Sequence, residues 1–224
     1  MVPRQSGLPL RLVGEISLLT ARLVEIGLVD DQNVVAHRLL PDSRWAVTQP
    51  GADMSIALKK QPYVEIYGAL VSSGNYAMQL LDGALIQMSY SGDDRGIDRH
   101  RLAYLPAPDL EPFQTDPELY LGEHHFIDVV GHQVMPVPLR FDYDSRDGVA
   151  RDIIHPVSHL TLGQYQHCRI PATGPVTPSA FVSFILASFY STPTQAQEHF
   201  ISEVEFGEIT ITRGEESRTH VMVA

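Results

Sequence analysis

Titratable and polar side chains crowd into one part of the sequence, residues 136–190. Most of those that could do chemistry fall within a short run: Arg140, Asp142, Asp144, Arg151, His155, Ser158, His159, Tyr165, His167, Cys168 and Arg169. Carboxylates, imidazoles and guanidiniums are the groups that acid–base chemistry and anion binding require. The sequence therefore predicts that residues 136–190 form the part of the fold that carries a site.

Asp142 and Asp144 occupy alternate positions of a predicted strand. Both carboxylates therefore project to one face, and Phe141 and Tyr143 project to the other. Two carboxylates held in this way could share a divalent cation, with water completing its coordination. The alternative is a polar strand end that runs into a turn at residues 145–148.

His155 and His159 are four residues apart, the spacing of two metal ligands on one helical face. Pro156 disfavours a helix through this position, so we expect a loop or a strand. Each histidine then either hydrogen-bonds to the backbone or acts as an acid–base group. The catalytic hypothesis adds Tyr165 and the two aspartates to this pair.

Arginines supply the predicted substrate contacts. Arg99 and Arg101 alternate around His100, so the two guanidiniums share one face of a strand. If this strand lies beside the one that carries the aspartates, the arginines could bind those carboxylates or an anionic substrate. The alternative is that they form surface ion pairs. Arg140 and Arg169 are the other two predicted substrate-binding residues.

Two potential nucleophiles have weaker signals. Cys168 is the only cysteine, which excludes an intrachain disulfide and a zinc cluster of thiolates. It stands between His167 and Arg169 and is either a nucleophile or a small core residue. Ser158 lacks the Gly-x-Ser-x-Gly pattern of hydrolases, which argues against a serine triad.

Hydrophobic periodicity predicts an amphipathic helix over residues 8–27 and a C-terminal helix over about 178–190, capped by Thr177. The buried stripe of the second helix is predicted to be Phe181, Phe184, Ile185 and Phe189. Asp82-Gly83 joins two apolar runs, which is typical of a β-hairpin. The other strands are also joined mostly by turns. The pattern predicts a single α+β domain over residues 1–224, with an antiparallel sheet packed by the two helices.

Two predictions concern particular strands. Pro136 and Pro138 fall in the second strand of a hairpin predicted over residues 126–143, which favours an edge strand or a bulge there. Residues 204–212 and 219–223 are predicted to form a final hairpin.

The formal net charge is −11, and Lys59 and Lys60 are the only lysines. A duplex-binding face draws most of its affinity from Lys and Arg, so the composition argues against one. A local nucleic-acid or nucleotide contact through arginines stays open, and so does a protein partner encoded nearby. No apolar run approaches the roughly 18 residues that cross a bilayer, and the first residues lack a secretory layout. We therefore expect a cytoplasmic protein without a membrane contact.

The run from His155 to Pro171 reads HPVSHLTLGQYQHCRIP and resembles a bacterial family described only as a domain of unknown function. Similar motifs stand at residues 57–59, 81–88 and 99–103, so the resemblance covers most of the chain. It implies membership of a family and leaves the activity open.

Residues 139–190 are also similar in layout to toxins of the TumE type from bacterial toxin–antitoxin modules. The shared features are an Arg-Phe-Asp strand at residues 140–142, His155-Pro156, a nearby histidine and a closing helix. The chain departs from those toxins in having fewer adjacent histidines and a long N-terminal portion. The resemblance implies a place in a toxin or anti-phage defence module.

Two hypotheses follow. In the first, the protein is a nuclease-like or phosphoester-hydrolysing enzyme of such a module. Its histidines and aspartates act as acid–base groups or as ligands of a divalent metal ion, and its arginines clamp a phosphate. In the second, it is a non-catalytic subunit or antitoxin-like partner in a multi-protein defence complex. Convergence of the aspartates and histidines on an open cleft favours the first hypothesis, and burial with backbone hydrogen bonds favours the second.

Overall fold

One antiparallel sheet organises the part of the chain that the computed structural model describes, residues 7–50, 61–108, 137–165, 167–190, 202 and 204–223. Its strands are β1 (Val29–Gln32), β2 (Ala36–Leu39), β3 (Trp45–Thr48), β4 (Met78–Leu80), β5 (Leu85–Asp93), β6 (Gly96–Leu105), β7 (Leu139–Asp144), β8 (Ser158–Leu162) and β9 (Ile170–Pro171). The strand order is β1-β4-β5-β6-β7-β8-β9, and β3 joins β5 while β2 joins β3. Each of these pairings is antiparallel. The predicted α+β class is confirmed.

Four helices accompany the sheet in the described ranges: α1 (Leu8–Glu25), α2 (Tyr63–Ser73), α3 (Pro178–Phe189) and α4 (Arg213–Glu216). The N-terminal and C-terminal helices are where the sequence predicts them. Thr177 caps α3, because its side chain accepts a hydrogen bond from the Ala180 N–H. Gly27 follows the C-cap residue of α1, Ile26, and has φ of 72°, a conformation that glycine adopts readily.

Helices α1 and α3 cover one face of the sheet and bury it. The α1 side chains of this core include Leu12, Ile16, Leu19 and Leu23, all fully buried. The Phe141 ring of β7 meets the α3 rings of Phe181 and Phe184 edge-on, with centroids 6.2 and 5.4 Å away. Phe189 departs from the predicted buried stripe: it is 42% exposed, although its ring stacks on Tyr104 at 4.8 Å.

A buried carboxylate ties the two helices together. Glu15 of α1 is 5% exposed and accepts hydrogen bonds from the backbone N–H groups of Ser179 and Val204, at 2.9 and 3.1 Å. The Ser179 hydroxyl donates to the same carboxylate at 2.7 Å. The first turn of α3 is therefore anchored to α1, which fixes the helix against the sheet.

The opposite face of the sheet is divided between apolar and charged halves. Helix α2 packs Ile66 and Leu70 against Leu85, Ala103 and Leu105 of β5 and β6. Side chains two residues apart on a strand share a face. The face that lies under α2 at the C-terminal end of β6 therefore continues to Arg99 and Arg101 at its other end.

Strand β7 is interior, so the prediction of an edge strand or bulge is wrong. It pairs with β6 on one side and with β8 on the other. Pro138 lies just before the first strand residue, where it needs no ladder N–H, and its carbonyl accepts from Gly163 at 2.6 Å. Pro136 and the hairpin partner predicted before it lie outside the described residues.

The predicted C-terminal hairpin is also wrong. Residues 204–212 carry no strand, and the expected turn is the helix α4. Thr212 and Glu215 form a capping box, in which each side chain accepts from the other residue's backbone N–H. Two orphan N–H groups at the helix start are thereby satisfied, which favours a helical turn over a β-turn. Val221 instead forms a parallel bridge to Ala172.

His100 connects the sheet to the start of α3. Its side chain is 1% exposed, and Nε2 accepts a hydrogen bond from the Val176 N–H at 2.9 Å. The ring stacks on Tyr143 at 5.5 Å and meets Tyr90 edge-on at 5.7 Å. As predicted, it points away from the face that Arg99 and Arg101 share. Burial lowers the pKa of His100 to about 3, against the opposing pull of the Asp142 charge.

Acidification should destabilise the protein in part through His100. Because its folded pKa is about 3 against an ordinary value of 6.5, the unfolded chain takes up the proton first. The stability that neutral, buried His100 contributes is complete above pH 6.5, and it is lost as the pH falls from 6.5 toward the folded pKa of about 3. In His100→Gln the amide oxygen can still accept from Val176 without titrating. We expect the urea unfolding free energy of the wild type to fall between about pH 6.5 and pH 4.5 by about 2 kcal/mol more than that of the variant. Equal pH dependence would contradict the assignment.

Candidate functional site

Three adjacent strands place complementary side chains in one row. In the sheet register, Arg101 of β6 lies opposite Asp142 of β7, which lies opposite His159 of β8. Directly opposed residues have Cβ atoms about 4.5–5.5 Å apart, so these side chains meet on the same face. The next row pairs Arg99 with Asp144. The strand that carries the arginines therefore lies beside the strand that carries the aspartates, which is the condition that the sequence left open.

Asp142 is the centre of this arrangement. Its Oδ1 accepts from Arg101 Nε at 3.0 Å, and its Oδ2 accepts from Arg140 Nε at 2.5 Å. Only 14% of its side chain is exposed. Burial by itself raises the pKa of Asp142, but the charges of Arg140 and Arg101 outweigh it and hold that pKa below its usual range. Asp142 is therefore a carboxylate that orders two guanidiniums.

His159 lies against the same carboxylate and is 4% exposed. Its Nε2 is 3.8 Å from Asp142 Oδ2, while its Nδ1 bonds the Pro156 carbonyl at 2.9 Å. A carbonyl only accepts, so Nδ1 carries the proton and Nε2 of the neutral ring has a free lone pair. Burial lowers the pKa of His159 to about 4, although Asp142 opposes this. At neutral pH the ring is a neutral base.

His155 reaches the site from a turn between β7 and β8. Its Nδ1 bonds the Val149 carbonyl at 3.0 Å. Its ring centroid is 5.2 Å from that of His159. The expected loop or strand is found for both histidines, since His155 closes a bridge with Arg151 and His159 belongs to β8. The two imidazoles are neighbours with the same Nδ1-to-backbone arrangement.

These side chains surround a hollow of about 210 Å³ that is open to solvent. The residues at its wall are Arg99, His100, Arg101, Arg140, Asp142, Tyr143, Asp144, His155, His159 and Arg169. His100 and Tyr143 belong to the wall as strand residues, and their rings stack on each other on the opposite face of the sheet. Four guanidiniums against two carboxylates leave two positive charges, before any contribution from the histidines. In a chain of net charge −11, the hollow is a local concentration of positive charge.

Arg99 differs from the other arginines of the hollow. Asp144, its cross-strand neighbour, is taken by Arg146, which donates to both carboxylate oxygens at 2.8 and 2.5 Å. Within the described ranges, Arg99 has no hydrogen-bond or ion-pair partner. An arginine that faces a hollow without a carboxylate of its own is suited to an anionic ligand.

Eight of the nine predicted catalytic and substrate-binding residues line the hollow, and Tyr165 does not. Tyr165 is 74% exposed, and its ring lies over Gly163, where an added Cβ would come within 3.1 Å. The structure does not bring it to the proposed chemistry. Ser158 points into the fold and donates to the Gly174 carbonyl at 2.7 Å.

The described residues give no support to the predicted divalent cation between Asp142 and Asp144. Both carboxylates are engaged by guanidiniums, which compete with a cation for the same oxygens. No group of three or more His, Cys, Asp or Glu side chains in the described ranges has a geometry that could hold a metal ion. The chemistry argued from this hollow therefore depends on guanidiniums and imidazoles.

Two residues that support the site, Arg146 and Glu215, are not among the site residues that the sequence predicts. Arg146 follows β7 and removes Asp144 from competition for Arg99; its signal is the Asp-x-Arg spacing across a turn. Glu215 contacts the turn that carries His155, since its Oε1 accepts from the Ile153 N–H at 3.2 Å. Its signal is the Thr-x-x-Glu pattern of a capping box, which predicts a helix start but not its partner.

The fold and the hollow define an α+β protein with a cationic pocket on an acidic chain. The family model described as "Uncharacterized conserved protein (DUF2290)" matches residues 28–223. The chain belongs to this family, which confirms the first resemblance. No curated protein matches the chain. No solved structure matches it. The likeness to TumE-type toxins stays a prediction. None of the helices in the described ranges has the length and apolar character needed to cross a bilayer.

Removing the charge of Asp142 should cost more stability than removing that of Asp144. Asp142→Asn removes the charge that both Arg101 and Arg140 contact, and breaking a buried ion pair costs about 3 kcal/mol or more. Asp144 pairs with the 46% exposed Arg146, and an exposed pair contributes less than about 1 kcal/mol. Urea denaturation of both variants measures the difference. Equal losses would show that Asp142 has no special place in the cluster.

Proposed function

We propose that the protein is a nuclease-like phosphoester hydrolase whose hollow binds a phosphate group. The observation that carries the proposal is that Arg99, which has no hydrogen-bond or ion-pair partner among the described residues, meets three further arginines and a neutral His159 around one hollow. Guanidiniums match phosphate oxygens with parallel N–H groups, and a neutral imidazole beside them can move a proton.

The arginines supply binding and charge stabilisation. Phosphoryl transfer spreads negative charge over the non-bridging oxygens, and fixed guanidiniums stabilise it without reorganising. Arg101 and Arg140 are already oriented by Asp142 through their Nε atoms. Arg99 and Arg169 complete the set of arginines that lines the hollow.

His159 is the proposed general base. Its Nε2 takes a proton from the attacking water as the new P–O bond forms, and the ester P–O bond breaks. The leaving oxygen takes its proton from the imidazolium form of His155, the general acid; after the products leave, His159 gives its proton to solvent and His155 regains one from it. The nearby Asp142 carboxylate, 3.8 Å from Nε2, favours the imidazolium that forms on His159. The products are an alcohol and a phosphate with one ester bond fewer.

The proposed setting is a bacterial toxin or anti-phage defence module, with a protein partner encoded nearby. It is supported by the layout of residues 139–190, and the acidic balance of the chain suits a basic partner. Growth of a bacterial host that expresses the protein tests the toxin setting. We expect the wild type to arrest growth and His159→Ala to permit it; equal growth would remove the toxin role.

A second function is a non-catalytic, partner-binding subunit. The observation that favours it is that both histidines bond backbone carbonyls through Nδ1, with His159 almost fully buried. In that case the row of Arg101, Asp142 and His159 fixes the sheet instead of acting on a ligand. The two functions separate on whether the hollow binds and cleaves a phosphoester.

Arg99→Ala should weaken anion binding, and Arg95→Ala should not. Arg95 belongs to the same β5–β6 hairpin, but its side chain is 87% exposed and paired with Asp93. A lost charge-assisted contact costs about tenfold or more in affinity. Fluorescence anisotropy with labelled single-stranded RNA and DNA oligonucleotides measures it. If the two variants bind alike, the hollow is not the anion site.

His159→Ala should reduce phosphoester cleavage by about 100-fold or more, as expected for loss of a general base. His220→Ala is the matched control, since His220 lies near the C-terminus and bonds the Arg218 carbonyl. Because the pKa of His159 is about 4, activity should stay level as the pH falls from 8 to about 5 and drop toward the pKa. Cleavage of labelled oligonucleotides in gels, with circular dichroism at each pH, measures both effects. Wild-type protein that binds no oligonucleotide and cleaves none would favour the partner-binding subunit.

A further inference from the structure

The turn that presents His155 contains a strained residue. Ile153 has φ of 67°, in the left-handed region that β-branched residues rarely adopt. On either side of it, Arg151 and His155 exchange both backbone hydrogen bonds, at 2.9 and 2.8 Å. A strained residue persists only where its surroundings hold it, and such residues cluster at functional sites.

Thr212 and Glu215, at the start of α4, hold this turn in place. The Glu215 carboxylate, 2% exposed, accepts from the N–H of Ile153 at 3.2 Å through one oxygen and from the N–H of Thr212 at 3.0 Å through the other. The Thr212 hydroxyl donates to Asp152. A Cβ added at Gly214 would lie 3.2 Å from an Asp152 oxygen and 3.4 Å from the Ile153 side chain. The helix α4 is therefore seated directly on the turn.

We infer that α4 positions His155, and that Glu215 is the positioning residue. By accepting the Ile153 N–H, the carboxylate keeps Ile153 in its left-handed conformation. That conformation lets Arg151 and His155 pair, and the pairing sets the His155 ring at 5.2 Å from His159. The inference rests on the proposed function only for its effect on catalysis, since the positioning itself can be observed without a substrate.

Two further observations agree with this chain of contacts. The His155 ring is tethered to the Val149 carbonyl within the same connection, so a change in the turn displaces the ring as well as the backbone. His159, by contrast, lies within β8, and the pairing of β8 with β7 fixes its position. Of the two imidazoles, only His155 depends on a turn, and its turn depends on α4.

The test uses the full chain and a small set of variants. Glu215→Ala removes both acceptors, and Glu215→Gln keeps one carbonyl oxygen for the Ile153 N–H. Ile153→Gly removes the cost of the left-handed conformation, so it should restore the turn when combined with Glu215→Ala. Glu216→Ala is the matched control, because Glu216 is the exposed neighbour in the same helical turn.

The direct readout is nuclear magnetic resonance of the labelled protein. In Glu215→Ala we expect amide exchange of Arg151 and His155 to accelerate by at least about tenfold and the cross-peaks between the His155 and His159 rings to vanish. Amides of β6 to β8 should exchange as in the wild type. Glu215→Gln should fall between wild type and Glu215→Ala, and the double variant with Ile153→Gly should recover the cross-peaks. Unchanged exchange and intact cross-peaks in Glu215→Ala would overturn the inference.

The catalytic readout is separate. If the wild type cleaves phosphoesters, kcat of Glu215→Ala should fall by about tenfold with little change in KM, since the arginines that bind the phosphate stay on the sheet. A wild type that cleaves nothing defeats the proposed function but leaves the resonance experiment to decide the positioning. Should Glu215→Ala fail to fold, Glu215→Gln with and without Ile153→Gly decides the question. The double variant should show wild-type amide exchange, because its turn no longer needs Glu215. Exchange as fast as in the Glu215→Gln single variant would overturn the inference.

Discussion

A buried carboxylate between two guanidiniums is the constraint on which the hollow depends. Asp142 bonds Arg101 and Arg140 through separate oxygens and lies beside His159. Burying these charges costs desolvation energy that their attraction only partly offsets, and apolar residues of similar volume are often as stable or more so. The cluster is therefore weak evidence for stability. Its definite effect is to hold two arginines at fixed positions next to a neutral imidazole.

Strand alternation turns this local cluster into a site. Along β7, Phe141 and Tyr143 face the helices while Asp142 and Asp144 face the hollow, so one strand serves the core and the chemistry together. Along β6, His100 ties the sheet to the start of α3 from the opposite face to the arginines. The cationic face thus lies on the central strands of a sheet whose other face packs against α1 and α3, which limits how far its side chains can move.

Short-range patterns predict the parts of this arrangement that obey strand periodicity. The shared faces of Arg99 with Arg101 and of Asp142 with Asp144 follow from a period of two, and the Asp82-Gly83 hairpin follows from turn chemistry. The register that sets Arg101 opposite Asp142 depends on the pairing of two strands that are distant in the sequence. Local sequence patterns therefore do not predict it. Pro138 precedes β7 instead of lying within it, so it does not prevent β7 from pairing on both sides. Tyr165 is close to the histidines in sequence, but its exposed side chain lies outside the hollow, because nearness in sequence does not imply nearness in space.

The features that local patterns do not predict depend on contacts between segments that are distant in the sequence. Residues 204–223 have the alternation of a hairpin, yet Thr212 and Glu215 satisfy each other's N–H groups and begin a helix. The same Glu215 carboxylate then reaches Ile153, which is 62 positions away. Neither residue signals the other, because a positive φ at an isoleucine is imposed by tertiary contacts against its local preference. The charge of the hollow is not visible in the composition either: the chain has net charge −11, and it is the pairing of β6 with β7 that brings Arg99, Arg101 and Arg140 together at one hollow. Composition argues against a broad duplex-binding face, but it carries no information on a small cationic pocket assembled by strand pairing.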